Sequence, residues 1–191
     1  HESRGLGDVY KRQAQAQVER LEALTGGLLD LSRLESPAQA PQLVPVSLLP
    51  LVHGVGELYA SRAEQAGITF ELSTPEAPVS VLGDEGELTR ALSNLLDNAL
   101  KFTPEGGQIA LGCRQEGELA VLWAEDTGIG FPDEEMPHLF DRFYRGRNAA
   151  AYPGSGLGLA IVQAIVDRHG GRVEAEGSGQ GARFTIRLPS L

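Results

Sequence analysis

The chain contains one cysteine, Cys113, one tryptophan, Trp123, and only two lysines, Lys11 and Lys101. A lone cysteine excludes an internal disulfide and fits a reducing compartment. The four histidines, His1, His53, His138 and His169, have no His or Cys partners at metal-ligand spacing, so structural zinc is not expected. Positive charge is short as well. Sixteen Lys and Arg against 26 Asp and Glu leave a net charge of −10, with no basic cluster to offset it. That balance excludes a nucleic-acid-binding surface. No apolar run approaches the ~20 residues needed to span a bilayer, and no basic-then-apolar signal segment opens the chain. A cytoplasmic setting is expected, with any membrane anchor lying outside these residues.

What remains is an ordinary globular composition, 41% hydrophobic and 22% charged over 191 residues. It suffices for one domain and an appendage. The appendage is expected over residues 1–42. From Gln13 to Glu35 the spacing of Leu21, Leu24, Leu28 and Leu31 predicts a helix with an a/d seam. Pro37, Pro41 and Pro45 then mark a linker. A helix set apart in this way is expected to dimerise; packing on its own domain is the competing reading. The first dozen residues, "HESRGLGDVYKR", carry Gly5 and Gly7 and no apolar periodicity, so a helix break is expected there.

The domain is expected over residues 43–191. Strands are predicted at Leu43–Val46, Ile68–Leu72 and Val79–Leu82, with a helix over Leu48–Ala66 that Gly67 ends. A second helix covers Asp84–Phe102. Gln108–Arg114 and Glu118–Glu125 alternate around Gly117 as a hairpin. A third helix, Gly156–His169, precedes a closing hairpin of Arg172–Glu176 and Ala182–Leu188. This order predicts an α+β fold, a two-layer sandwich with helices on one face of a sheet. The irregular stretch Asp126–Ser155 is long enough to be a functional lid.

Three elements point to chemistry. On the Asp84–Phe102 helix, Leu88, Leu92, Leu95, Ala99 and Phe102 form the core stripe. Asn94, Asn98 and Lys101 form a second stripe about 110° away, at the lip of any cleft the helix borders. Taken alone, three polar residues on a solvated flank is the favoured reading. "DTGIGF", Asp126–Phe131, follows the apolar strand "LAVLWAE". A carboxylate there accepts from a ligand edge that donates, such as an amino group, and its glycines allow close approach. A simple turn is an equal reading. "GSGLGLAIV", Gly154–Val162, runs glycines into a helix start, where backbone N–H groups bind phosphate. A plain glycine turn explains that segment equally well. The dinucleotide and Walker patterns both fail here: residues 159 and 161 are Leu and Ile, and neither lysine follows a glycine.

Together and in this order the elements resemble the histidine protein kinases of two-component signalling. "NLLDNALKF" (94–102) is similar to their N box and "DTGIGF" to their first glycine box. "LFDRFYR" (139–145) is similar to their F box and "GSGLGLAIV" to their second glycine box. The resemblance spans roughly Leu43–Pro189, and "LLDLSRLES" resembles the end of their dimerisation hairpin. It implies the Bergerat-type ATP-binding fold shared with gyrase, heat-shock chaperone and mismatch-repair ATPases, with ATP and Mg2+ as cofactors.

Residue by residue, the resemblance implies Asn98 as the Mg2+ ligand, with Asn94 near metal and phosphates. Lys101 would bring charge to the phosphates, Phe102 would pack near adenine, and Asp126 would accept from the adenine amino group. Gly128 and Gly130 would shape the pocket, Gly156 and Gly158 would offer N–H groups to phosphate, and Arg145 would reach the γ-phosphate. "HESR" resembles the H box, making His1 the phosphoacceptor and Glu2 its adjacent base, although Gly5 and Leu6 stand where a proline is expected.

Related ATPases and serine kinases carry a glutamate base four residues before the metal asparagine. Here that position is Asn94, which cannot take up a proton. The implied partners are a response regulator and a second copy of the chain through the helical hairpin. Arg183, just before Phe184, departs from the small hydroxyl residue often found near the adenine.

Overall fold

The computed structural model describes residues 2–36, 38, 41–149 and 151–191, with side chains from Tyr10 onward except that of Ser178. Helix α1 spans Glu2–Glu35, and a small antiparallel pair joins β1 (Val44–Ser47) to β3 (Ser80–Gly83). Between them lie α2 (Leu48–Gln65) and β2 (Thr69–Ser73). Then follow α3 (Glu85–Phe102), β4 (Gln108–Glu116), β5 (Leu119–Asp126), α4 (Gly158–Arg168), β6 (Arg172–Ser178) and β7 (Gly181–Pro189). The main sheet runs β2-β4-β5-β7-β6, with β2 parallel to β4 and the other neighbours antiparallel. This is the expected α+β sandwich.

Local chemistry sets the helix ends. The Asp84 side chain caps α3 by accepting the Glu87 N–H at 2.9 Å, which satisfies one of the free donors of the first turn. Gly67, at φ 68°, turns the chain out of α2. The α3 stripe is buried as expected at Leu88, Leu92, Leu95 and Ala99. Phe102, at its end, is half-buried.

One sheet face carries the core: Ile109, Leu111, Leu122, Ala124, Phe184 and Ile186 all point toward the helices. Among the described residues no helix covers the opposite face, yet Trp123 there is only 9% exposed. The Arg114 and Arg183 guanidinium groups stand over its ring at 5.1 and 5.3 Å. Its floor is Gly112, where a Cβ would lie 2.2 Å from the indole. Gly112→Ala is therefore expected to destabilise the fold by about 1–3 kcal/mol, the usual cost of overpacking. Thermal unfolding checks this; an unchanged midpoint would show that the indole moves aside freely.

One expectation about α1 is corrected. Helix runs from Glu2 without a break at Gly5 or Gly7. Glycine lowers helix propensity by roughly 1 kcal/mol but keeps its N–H, so a helix already nucleated can propagate through it. The leucine seam is also divided. Leu31 and Leu34 are buried and Leu24 partly so, while Leu21 and Leu28 remain exposed. Gly27 allows the close approach, since a Cβ there would meet the Leu157 side chain at 2.8 Å. Asp30–Arg90 and Glu35–Arg142 ion pairs fasten the same end.

Candidate functional site

A cavity of about 400 Å³ opens between α3, the irregular stretch after β5, and the start of α4. That size suits a small-molecule ligand. Asn94, Asn98 and Lys101 reach it from α3 because their stripe flanks the buried one, and Phe102 reaches it from the end of the buried stripe. Asp126 and Gly130 reach it from the end of β5, and Arg145 from the irregular stretch. Gly156 and Gly158 close it at the entry to α4. Gly128 does not line the cavity but supports it. Its N–H donates to Asp126 Oδ1 at 2.8 Å, and a Cβ there would meet the Phe102 carbonyl oxygen at 2.3 Å. His1 lies outside the described residues, as does the side chain of Glu2.

Each polar group has a distinct setting. The Asn94 amide donates to the Gly158 carbonyl at 3.2 Å, tying α3 to the glycine loop. The Asn98 side chain makes no hydrogen bond among the described residues and is half-buried at the cavity wall. Lys101 forms no ion pair among the described residues; its Nζ rests 4.6 Å from the centre of the Phe102 ring. Burial, and then the nearby Arg145 charge, lower its pKa. Two cations drawn together in a partly desolvated cleft are complemented by an anion.

At the other end Asp126 is only 8% exposed. Burial pushes its pKa up to about 6, against the lowering effect of the Gly128 and Ala182 N–H groups. The wall nearby is aromatic. Phe131 and Phe140 pack around Phe184 with ring centres 6.2 and 6.3 Å away, and Phe131 and Phe184 face the cavity. Arg183 faces the opposite side of the sheet, on Trp123 and Glu125, so its departure from the family pattern falls outside the cavity.

Sequence reasoning missed two residues here. Tyr59 and Arg62 of α2 both bond Asp97 Oδ1 at 2.9 Å. Asp97 also lines the cavity edge. Glu135, in the irregular stretch, is buried beside the cavity. Its position in a run of acidic residues gave no sign of burial. Among the described residues no group of three or more His, Cys, Asp or Glu side chains converges to hold a metal. None of the described helices is long and apolar enough to cross a membrane.

Residues 83–191 match the family of histidine kinase-, DNA gyrase B-, and HSP90-like ATPases, and the chain belongs to that family. Its relatives within the family carry sensor-kinase names. It is 36% identical over 178 residues to the signal transduction histidine-protein kinase BaeS of Escherichia coli, covering 92% of this chain and 38% of that protein. It is 39% identical over 182 residues to the histidine-protein kinase/phosphatase MprB of Mycobacterium avium, covering 91% of this chain and 33% of that protein. The chain thus spans well under half the length of these curated relatives. The solved structure of full-length ShkA in complex with AMPPNP superposes with a TM-score of 0.81 at 31% identity, covering 96% of this chain and 38% of that one.

Proposed function

We propose that the chain is the ATP-binding catalytic part of a histidine protein kinase. ATP and a histidine would give phosphohistidine and ADP, and the phosphoryl group would pass to an aspartate of a response regulator. The observation that carries this over hydrolysis is that each carboxylate lining the cavity has one oxygen held in place by a neighbouring group, and none stands at the position of the glutamate base. Asp97 is held by Tyr59 and Arg62, Asp126 by the Gly128 N–H, and Glu135 by the Arg147 N–H. Asn94 stands where the hydrolytic relatives place their base, and an amide cannot take up a proton. An imidazole brings its own basicity.

The donor set fits Mg2+ and a nucleotide. Among the described residues nothing engages the Asn98 side-chain oxygen, and a cation of this kind takes few protein ligands, with phosphate oxygens and water filling the rest. When bound, the metal would neutralise charge developing on the transferred phosphoryl group. Lys101 and Arg145 supply the facing positive charge, and the Gly156–Gly158 entry to α4 supplies backbone donors. Asp126 would orient adenine by accepting from its amino group, with Phe102 packed nearby. His1 is the proposed acceptor, Glu2 its adjacent base, and the exposed Leu21 and Leu28 of α1 the proposed dimer contact.

Incubation with γ-labelled ATP, Mg2+ and a separately supplied helical hairpin bearing an acceptor histidine tests the reaction class. Acid-labile, base-stable label on that hairpin is expected. Acid-stable label would indicate a hydroxyl kinase, and phosphate release without protein label would indicate a hydrolase.

A further inference from the structure

Glu135 sits on a short 3-10 turn, Asp133–His138, and is only 5% exposed. Burying a carboxylate is unfavourable unless it is hydrogen-bonded or paired. Its Oε1 accepts the Arg147 backbone N–H at 3.0 Å. Its Oε2 has no hydrogen-bond partner among the described residues and lies under Gly146, where a Cβ would come within 2.3 Å. The Glu135 charge, after desolvation, also raises the pKa of the Tyr144 phenol. The carboxylate therefore reaches residues 144, 146 and 147, which flank Arg145.

A second observation shows that this turn is held rather than relaxed. Phe143 has φ 63°, a left-handed conformation unfavourable for an aromatic residue. Such a conformation persists only where the surroundings over-determine it. On one side, the Phe143 N–H donates to the Gly156 carbonyl at 2.9 Å. On the other side, Glu135 accepts the Arg147 N–H. Between them Arg145 lines the cavity and donates to the carbonyls of Ala149 and Tyr152.

We propose that Glu135 is a positioning residue that acts through Arg145. Buried beneath residues 144–147, it fixes the turn so that the guanidinium faces the terminal phosphate of the bound nucleotide. This rests on the nucleotide-site reading above. The carboxylate itself contacts no substrate. It differs from a merely structural group in its reach: its loss should be felt at the γ-phosphate and not at the adenine end.

The test compares dissociation constants for a non-hydrolysable ATP analogue and for ADP, both with Mg2+. The proteins are wild type, Glu135→Ala, Arg145→Ala and the double variant. ADP lacks the phosphate that Arg145 would meet, so the ratio of the two constants isolates that contact. Glu135→Ala and Arg145→Ala should each shift the ratio against the analogue by roughly ten-fold or more, the usual loss for a charged hydrogen bond. The double variant should shift it no further than Arg145→Ala alone, since both act on one contact. Equal weakening of both nucleotides, or additive shifts in the double variant, would overturn the proposal. Gly146→Ala keeps the test open if Glu135→Ala fails to fold, because its methyl group displaces the carboxylate. The same selective shift is expected there, and an unchanged ratio would also overturn the proposal. Wild type binding neither nucleotide would instead refute the nucleotide-site reading.

Discussion

Asp126→Asn is expected to weaken ATP binding roughly ten- to a hundred-fold and, at neutral pH, to make the fold more stable. Both effects come from one buried carboxylate. A charged hydrogen bond contributes ~1.5–3 kcal/mol, and the replacing amide can turn a donor toward the adenine amino group. The stability effect follows from the raised pKa. An acid whose folded-state pKa is about 6, against 3.8 unperturbed, contributes stability that is complete below the lower value. That contribution is lost as pH rises through about 6. Above neutrality the ionised group therefore costs the fold on the order of 3 kcal/mol, which asparagine removes. Unfolding measured from about pH 4 to about pH 8 should show the variant's advantage shrinking as the pH falls. An asparagine variant less stable than wild type at neutral pH, or one with undiminished ATP affinity, would contradict the assignment. Wild type should also reject GTP, whose base carbonyl oxygen would face the carboxylate in place of the amino group.

Asn98→Ala is expected to abolish Mg2+-dependent binding and turnover while leaving the fold intact. Residues that merely orient a metal ligand typically contribute 10–100-fold to affinity or activity, so removing the ligand itself should exceed about a hundred-fold. The fold has little to lose. The side chain makes no hydrogen bond among the described residues and lies off the buried stripe of α3. Alanine is also the better helix former, by roughly half a kcal/mol. Titration with nucleotide in the presence and absence of Mg2+, beside thermal unfolding, separates the two effects. Unfolding of the variant, or a Mg2+ dependence like that of wild type, would assign Asn98 a structural role instead.

The elements that sequence revealed are those whose cause is local. The α3 stripe has a 3.6-residue period, Asp84 caps its helix three residues upstream of the N–H it accepts, and Gly67 ends α2 through its own backbone freedom. The polar flank of Asn94, Asn98 and Lys101 was legible for the same reason, since the helical period alone sets its angle to the core. What sequence left hidden depends on partners distant along the chain. Asp97 turns to Tyr59 and Arg62, some 35 residues earlier, in response to a helix whose docking no local pattern encodes. Glu135 reads as one more surface acid until residues 144–147 close over it. Trp123 belongs to an apolar strand, but its cover comes from arginines of two other strands on the open sheet face. The leucine seam of α1 was legible as apolar, but its division between two faces was not. That division depends on Gly27 meeting Leu157, a contact across 130 residues.

A structure of the chain with Mg2+ and a non-hydrolysable ATP analogue tests the central claim most directly. The adenine amino group should lie within hydrogen-bond distance of Asp126, the metal on the side-chain oxygen of Asn98, and Lys101 and Arg145 on the phosphates. The space in line with the γ-phosphate should hold no carboxylate, leaving room for an incoming imidazole. Density for the analogue outside this cavity, or Asp97 or Glu135 released from its present partners and placed beside the γ-phosphate, would contradict the account.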